Sequence, residues 1–205
     1  MSNKERNVVV LGVTGGIACG KSEVGRILEG MGFAVCDADH VAHDLMKKGT
    51  PVFKQVLDRF GTHILSDNGE ISRSTLGETV FENPAQREAL NRLVHPAVRE
   101  SLKQWISEKR NAGENTAILI PLLFESGMQD LDWDAVVCVS SCEKDVFQRL
   151  ERRGLTREEA EKRVHSQMSL AEKEKLADHV VPNHGTLGEL ELAIRKTVEA
   201  IVGER

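Results

Sequence analysis

The chain has 205 residues, of which 40% are hydrophobic and 29% are charged. This balance is typical of a soluble globular protein and argues against global disorder. The formal net charge of -5 and the pI of about 5.8 argue against a nucleic-acid-binding protein, which normally carries a basic excess on its binding face. The length predicts a single domain with an inserted subregion.

The cysteines and the first residues of the chain indicate the cellular compartment in which the protein is expected. Four cysteines are present, without a CxxC pair or a zinc-type Cys/His spacing: Cys19, Cys36, Cys138 and Cys142. A chain without a disulfide framework is typical of a reducing compartment. Residues 1–7 are polar, and the apolar run at residues 8–11 is too short for a signal peptide or a membrane span. We therefore expect a cytoplasmic protein without nucleic-acid or membrane partners.

The N-terminal segment predicts a βαβ unit. Residues 8–11 are a β-branched run typical of a strand that is buried on both faces. After a glycine-rich turn, apolar residues recur at helical spacing over residues 22–31, and Gly32 is a typical helix end. A second strand is predicted over residues 33–36. This order of elements implies a parallel sheet with a right-handed crossover.

Residues 40–113 predict a helical insertion between two strands of this sheet. They contain no convincing strand pattern, and turn signals separate the helical segments. Apolar residues recur at helical spacing over residues 52–60, 87–94 and 98–106. We expect this insertion to be built from helices alone.

The remaining chain completes an α/β domain. Three more strands are predicted, over residues 116–123, 135–139 and 179–182. Helices are predicted over residues 146–172, with a break at Gly154, and over residues 187–202. Five short strands alternating with helices predict a three-layer α/β fold with a five-stranded parallel sheet. Residues 1–205 then form one domain, with a nucleotide-binding core at 8–39 and 114–205.

Residues 15–22 match the phosphate-binding pattern G-x-x-x-x-G-K-[ST] at every fixed position. Glycines permit positive φ and bring amide N–H groups close to phosphate oxygens. Glycine-rich turns often bind nothing, but this one follows a predicted strand and opens a predicted helix, as the pattern requires. Lys21 is predicted to reach the β- and γ-phosphates of a nucleoside triphosphate, and the Ser22 hydroxyl to ligate Mg²⁺. The nucleotide contacts are expected from Gly16, Ile17, Ala18, Cys19, Gly20, Lys21, Ser22 and Glu23.

Two carboxylates follow the second predicted strand. Asp37-Ala38-Asp39 lies at its carboxyl end, where open parallel sheets bind ligands. Residues two apart on an extended segment point the same way, so both carboxylates are expected to face the phosphates. Asp39 is then a candidate to orient Mg²⁺ or to accept the proton of an attacking hydroxyl. The alternative is that Asp39 only caps the helix that follows.

Five arginines surround Gly154: Arg149, Arg152, Arg153, Arg157 and Arg163. Phosphoryl transfer needs cations over the equatorial oxygens, and arginines on a closing lid supply them. We therefore interpret residues 149–167 as a lid in which at least one arginine is catalytic. The alternative for any single arginine is a solvated helix face, because glutamates are interleaved with them.

Two further residues are weaker candidates from the pattern alone. Glu125 ends the run Pro-Leu-Leu-Phe-Glu after the third core strand and is expected at the ligand edge of the sheet. His95 precedes Pro96 within the helical insertion. A lone histidine of this kind is more often structural than a ligand.

The motifs together resemble those of the dephospho-coenzyme A kinase family over nearly the whole chain. The phosphate loop alone is shared with many enzyme types, whereas the other elements in this order are much more specific. They are Asp-Ala-Asp at 37–39, Leu-Val-His-Pro at 93–96, Pro-Leu-Leu-Phe-Glu at 121–125, Arg163 with Gln167, and Ala177-Asp178 with Asn183 and Gly185.

The resemblance implies that ATP phosphorylates the ribose 3′-hydroxyl of dephospho-coenzyme A, giving coenzyme A and ADP, in a P-loop fold like that of the nucleoside-monophosphate kinases. It further implies that the helical insertion at residues 40–113 binds the acceptor. Lys21 would stabilise the transferring group, and Asp39 would be the base or positioning carboxylate. Arg152 matches the lid arginine of the family best, with Arg153 as the alternative.

The resemblance also implies binding residues. It places Asp39, His95, Glu125 and Arg163 in the acceptor site. It places Asn183 and Gly185 near the adenine of ATP.

The chain departs from the family pattern inside the phosphate loop. The family usually has Gly-Ser at the positions of Ala18 and Cys19, and a threonine at the position of Glu23.

Two rival functions remain open. One rival is another small-metabolite kinase of the shikimate or gluconate type, although the long insertion is unexpected there. The other rival is a GTP-binding switch, although the guanine-reading tetrad Asn-Lys-x-Asp does not occur.

Overall fold

The structure, a computed structural model, describes residues 8–81 and 83–203; the polar residues 1–7 considered above lie outside this part of the chain. Its sheet has five parallel strands in the order β2-β3-β1-β4-β5. The strands are β1 (Val10–Gly15), β2 (Ala34–Asp37), β3 (Thr116–Leu119), β4 (Ala135–Ser140) and β5 (His179–Pro182). The predicted five-stranded parallel sheet is therefore confirmed.

Helices fill the segments between and around the strands. In chain order they are α1 (Lys21–Gly30), α2 (Ala38–Leu45), α3 (Pro51–Phe60), α4 (Arg73–Phe81), α5 (Pro84–Ala112), α6 (Glu143–Arg152), α7 (Arg157–His165), α8 (Leu170–Leu176) and α9 (Leu187–Gly203), with short 3-10 helices at Thr62–Ile64 and Met128–Asp130. Within the described residues, no helix is both long enough and apolar enough to span a bilayer.

The central strand β1 is buried along its whole length, and β3 and β4 pair with its two edges. The apolar run predicted this strand too early, at residues 8–11, because hydrophobicity marks only part of it. Thr14 and Gly15 continue the strand by pairing with Cys138 and Val139 of β4. The glycine-rich turn therefore begins where β1 ends, at the carboxyl edge of the sheet.

The chain divides into two compact units. The core unit comprises the residues up to Asp37 and those from Trp105 onward, and the helical unit comprises Ala38–Gln104. In the core unit, α1 and α9 pack against each other and, with the sheet, share one apolar cluster that includes Leu28 and Ile194. The boundaries predicted from the sequence, with a helical insertion at residues 40–113, stay a proposal.

The helical unit contains no strand among its described residues, as predicted, and only an isolated bridge joins Leu65 to Ile71. The Thr50 side chain caps α3 by accepting a hydrogen bond from the Phe53 amide at 3.1 Å, and Pro51 occupies the first turn. The amphipathic face of α3 buries three residues, Val52, Val56 and Phe60.

Two helical predictions need correction. The segments 87–94 and 98–106 are parts of one helix, α5, which continues through Pro96. Proline removes a single helical hydrogen bond, and a helix with many other turns can accommodate that loss. The helical prediction at 146–172 is divided into α6, α7 and α8, with Gly154 at positive φ between the first two.

Candidate active site

The phosphate loop connects β1 to α1 in the core unit, and glycine is required at two of its positions. Gly15 and Gly20 have φ of 145° and 101°. A Cβ atom on Gly15 would lie 2.3 Å from the Val139 carbonyl oxygen, and one on Gly20 would lie 2.3 Å from the Asn183 side-chain nitrogen. Both the backbone conformation and the close neighbours therefore exclude larger residues.

The side chain of Lys21 folds back over this loop. Its Nζ donates hydrogen bonds to the carbonyl oxygens of Gly15 and Gly16, each at 2.9 Å. These contacts hold the ammonium group against the turn whose amides are expected to meet the phosphates. An ammonium has three donors and acts as a compact positive charge, which suits it to an anionic oxygen at this position.

Ala18 carries backbone strain. Its φ is 57°, and it is the one non-glycine residue with positive φ in the part of the chain that the structure describes. Left-handed backbone costs an alanine energy because its Cβ approaches the following carbonyl oxygen. The residue that the sequence marked as a departure from the usual glycine is therefore also conformationally strained.

We expect Ala18→Gly to stabilise the protein. Relief of about 1–2 kcal/mol of left-handed strain exceeds the roughly 0.4–1 kcal/mol that glycine adds to the entropy of the unfolded chain. The free energy of unfolding, measured by urea titration, should rise by about 0.5–1 kcal/mol. The matched control is Ala200→Gly at an exposed position of α9, which should lose stability. A destabilised Ala18→Gly protein would contradict the assignment of strain.

Arg149 anchors the phosphate loop from α6. Its guanidinium donates to the Ala18 carbonyl oxygen at 3.0 Å, to Ser141 Oγ at 3.1 Å and to the Asn183 carbonyl oxygen at 3.4 Å. The sequence grouped Arg149 with the arginines of the lid, but these contacts make it a positioning residue of the loop. Nothing in the sequence signals this pairing, because Ala18 and Arg149 lie 131 residues apart.

Asn183 supports the same loop from the end of β5. This residue is buried, and its Nδ2 donates to the Cys19 carbonyl oxygen at 2.8 Å, while Ser141 Oγ donates to its carbonyl oxygen at 2.8 Å. Gly185 follows in the exposed turn before α9. The family resemblance places Asn183 near the adenine of ATP, and this stays a prediction. The contact that the structure shows for the Asn183 side chain is the one with the phosphate loop.

The thiol of Cys19 is buried within this arrangement. Burial raises the pKa of the Cys19 thiol, and the neighbouring Lys21 opposes this only in part. The thiol is therefore neutral at physiological pH and unsuited to nucleophilic chemistry. Cys19 contributes to packing beneath the loop.

The arginines of the predicted lid lie around Gly154, which has φ of 87° between α6 and α7. Arg152 and Arg153 are exposed, and within the described residues their guanidinium groups have no hydrogen bond or ion pair. Arg157 differs, because its guanidinium lies 3.4 Å from the centroid of the Phe147 ring and pairs with Glu161. Arg163 is exposed on α7.

Glu125 forms a hydrogen bond and an ion pair with the segment that follows the predicted lid. Its Oε1 accepts a hydrogen bond from the Met168 amide at 3.0 Å and lies 2.8 Å from Nζ of Lys173. Lys173, on α8, is completely buried and also donates to the Pro121 carbonyl oxygen at 2.7 Å. The sequence pattern does not reveal the role of Lys173, since a lysine in a charged helical segment is usually solvated.

Asp39 and His95 belong to the helical unit. The interpretation of Asp37 and Asp39 as neighbours on an extended segment is wrong, because β2 ends at Asp37 and α2 begins at Ala38. Asp39 is exposed in the first turn of α2, inside the helix rather than at the capping position before it. His95 is half-buried, and burial lowers the pKa of its imidazole.

Comparisons with known proteins agree on one family. A family model described as Dephospho-CoA kinase matches residues 9–189. The Dephospho-CoA kinase of Geobacillus kaustophilus is 42% identical over 199 residues, which cover 94% of this chain and 98% of that protein. The crystal structure of TT1252 from Thermus thermophilus superposes with a TM-score of 0.76 at 31% identity, covering 94% of this chain and 97% of that one.

A second solved structure, a Dephospho-CoA kinase from Campylobacter jejuni, has a TM-score of 0.70 at 27% identity and covers 96% of this chain and 98% of its own. The matched region contains the phosphate loop, the helical unit, the arginines around Gly154 and Asn183. The chain therefore belongs to the dephospho-CoA kinase family.

Proposed function

We propose that this protein transfers the γ-phosphoryl group of ATP to the ribose 3′-hydroxyl of dephospho-coenzyme A. Membership of the dephospho-CoA kinase family over residues 9–189 carries this conclusion. A phosphate loop with its lysine in place provides the expected chemistry at the triphosphate. In the reaction a bond forms between the 3′-oxygen and the γ-phosphorus, the bond from the γ-phosphorus to the β-γ bridging oxygen breaks, and ADP leaves.

At the triphosphate, the loop amides and Lys21 stabilise the charge that develops on the transferring group. The Ser22 hydroxyl is exposed in the first turn of α1, with no hydrogen-bond partner among the described residues. It fits Mg²⁺, a hard cation that prefers oxygen ligands and is usually bound together with substrate phosphates. The metal would neutralise charge on the β- and γ-oxygens.

At the acceptor, Asp39 takes the proton of the 3′-hydroxyl as that oxygen attacks. His95, Glu125 and Arg163 contribute to acceptor binding. The low pKa of His95 favours a neutral imidazole, which accepts as well as donates hydrogen bonds. Asn183 and Gly185 contribute to the adenine site of ATP. A cytoplasmic location of the protein stays a prediction from the cysteine pattern.

The lid arginine is assigned to Arg152, and comparison with Arg153 tests the choice. Both guanidinium groups are exposed beside Gly154, so either has room to move onto the phosphates. We expect Arg152→Ala to lower kcat by about 10²-fold, as loss of one charge-stabilising donor does elsewhere, and Arg153→Ala to lower it much less. Steady-state kinetics with saturating ATP would measure both. Equal, mild losses would contradict the lid assignment.

The function itself is tested by ADP release in a coupled assay with dephospho-coenzyme A as the acceptor. We expect turnover with this acceptor and none with shikimate or gluconate. Phosphorylation of shikimate without phosphorylation of dephospho-coenzyme A would reject the proposal in favour of another small-metabolite kinase. Tighter binding of GTP than of ATP, without turnover of any acceptor, would favour a GTP-binding switch instead.

A further inference from the structure

Lys173 is a buried cation on a helix whose other charged residues are not buried. Its side chain is completely buried, whereas Glu172 and Lys175 on the same helix are exposed. A lysine is almost never fully buried unless it is paired. Even when it is paired, the loss of hydration by two charges roughly cancels their attraction, and an apolar side chain of similar size avoids this loss. The lysine is therefore expected to serve a role other than stability alone.

Lys173 holds the turn that follows β3. Its Nζ donates a hydrogen bond to the Pro121 carbonyl oxygen at 2.7 Å, and Thr14 Oγ1 donates to the same oxygen at 3.4 Å. Thr14 is buried in β1, immediately before the first glycine of the phosphate loop. Two donors, one from α8 and one from β1, therefore fix the start of this turn at the carboxyl edge of the sheet.

The same ammonium group fixes one oxygen of the Glu125 carboxylate. Lys173 Nζ lies 2.8 Å from Glu125 Oε1, and the Met168 amide donates to that same oxygen at 3.0 Å. The other oxygen, Oε2, accepts no hydrogen bond from the residues that the structure describes, and 23% of the Glu125 side chain is exposed. One oxygen is thus anchored, while the other is available to a ligand that carries an O–H or N–H donor.

We propose that Lys173 is a positioning residue of the acceptor site and acts through Glu125. The inference rests on the proposed function, in which Glu125 contributes to acceptor binding. Lys173 itself is 0% exposed, so it does not touch the acceptor. A free glutamate side chain loses rotamer freedom when it binds a ligand. The contacts of Oε1 restrict the rotamers of Glu125 before the acceptor arrives, and such preorganisation strengthens binding.

The test is a double-mutant cycle measured in the KM for dephospho-coenzyme A. Glu125→Gln replaces the charged acceptor by a weaker neutral one, and Lys173→Met releases the Glu125 side chain from its anchor. Each change is expected to raise this KM about 10-fold and to leave the KM for ATP unchanged. The double variant is also expected to show a rise of about 10-fold and not about 100-fold, because both changes remove the same interaction. A lysine that only stabilises the fold would show no such coupling.

The matched control is Lys175→Met, an exposed lysine of α8, which should leave both KM values unchanged. Circular dichroism at the assay temperature shows whether each variant is folded. If Lys173→Met is unfolded, Lys173→Gln, which keeps a donor for the Pro121 carbonyl oxygen, replaces it in the cycle.

Three results would overturn the role of Lys173. They are an unchanged KM for dephospho-coenzyme A in either single variant, additive losses in the double variant, and an equal rise in the KM for ATP. Failure of the proposed function is distinguishable, because the unaltered protein would then show no turnover of dephospho-coenzyme A. That result would reject the proposed function and, with it, this role of Lys173.

Discussion

The Asp39→Asn protein is expected to lose about 10²–10⁴-fold in kcat, with little change in ATP affinity. An asparagine of the same size keeps the polar contacts available to an amide but cannot accept the proton of the 3′-hydroxyl. Asp39 is exposed in the first turn of α2, so the substitution should not disturb packing. Steady-state kinetics with dephospho-coenzyme A, and ATP binding measured separately, give the two values.

A neighbouring aspartate on the same helix provides the control. Asp44 is paired with Lys47, and this partner lowers the pKa of the Asp44 carboxyl. Asp44→Asn removes a charge from α2 at an exposed position and should leave kcat unchanged. Unchanged turnover in Asp39→Asn would reduce Asp39 to a structural residue of the helix. Equal losses in both variants would assign the effect to the charge of α2 rather than to proton transfer.

The Lys173→Met protein is expected to lose about 3 kcal/mol in its free energy of unfolding. The lysine side chain is 0% exposed, while its partner Glu125 is 23% exposed. Methionine fills the same volume but leaves the Glu125 carboxylate and the Pro121 carbonyl oxygen without their buried donor. Some exposure of Glu125 keeps the loss at the lower end of the range for broken buried pairs. Urea denaturation at neutral pH measures it.

Two further variants separate the pair from the helix. Lys175→Met alters an exposed lysine of α8 and should change the free energy of unfolding by less than about 0.5 kcal/mol. The double variant Lys173→Met with Glu125→Gln should lose less than the sum of the two single losses, because no unpaired charge remains. A Lys173→Met protein as stable as the parent would show that the buried ion pair does not stabilise the fold.

The sheet and the phosphate loop were predictable because their signals are local. Short β-branched runs mark strands, and β5 at His179–Pro182 lies where the pattern placed it, although this edge strand is buried only at Val181. The start and end of β1 were less predictable, since Gly15 belongs to the strand only through its pairing with β4. The two helical segments predicted at 87–94 and 98–106 belong to one helix, α5, because the helix continues through Pro96.

The supporting residues of the candidate site were not predictable in the same way. Arg149 and Lys173 have the charge and setting of solvated helix residues in the sequence. Their roles come from contacts between segments far apart in the chain, such as Lys173 with Pro121. Residue type and spacing therefore predict candidate substrate contacts, whereas the residues that support the phosphate loop and Glu125 are found only from contacts between distant segments.

The contacts that hold the phosphate loop have a consequence for how its sequence can vary. Arg149 and Asn183 bind the carbonyl oxygens of Ala18 and Cys19, so they read the main chain and not the side chains. Exchange of these two residues for Gly-Ser preserves both hydrogen bonds. Substitution of the side chains at positions 18 and 19 is therefore expected to leave the support of the loop intact, whereas substitution of Arg149 or Asn183, both remote in sequence, is expected to remove it.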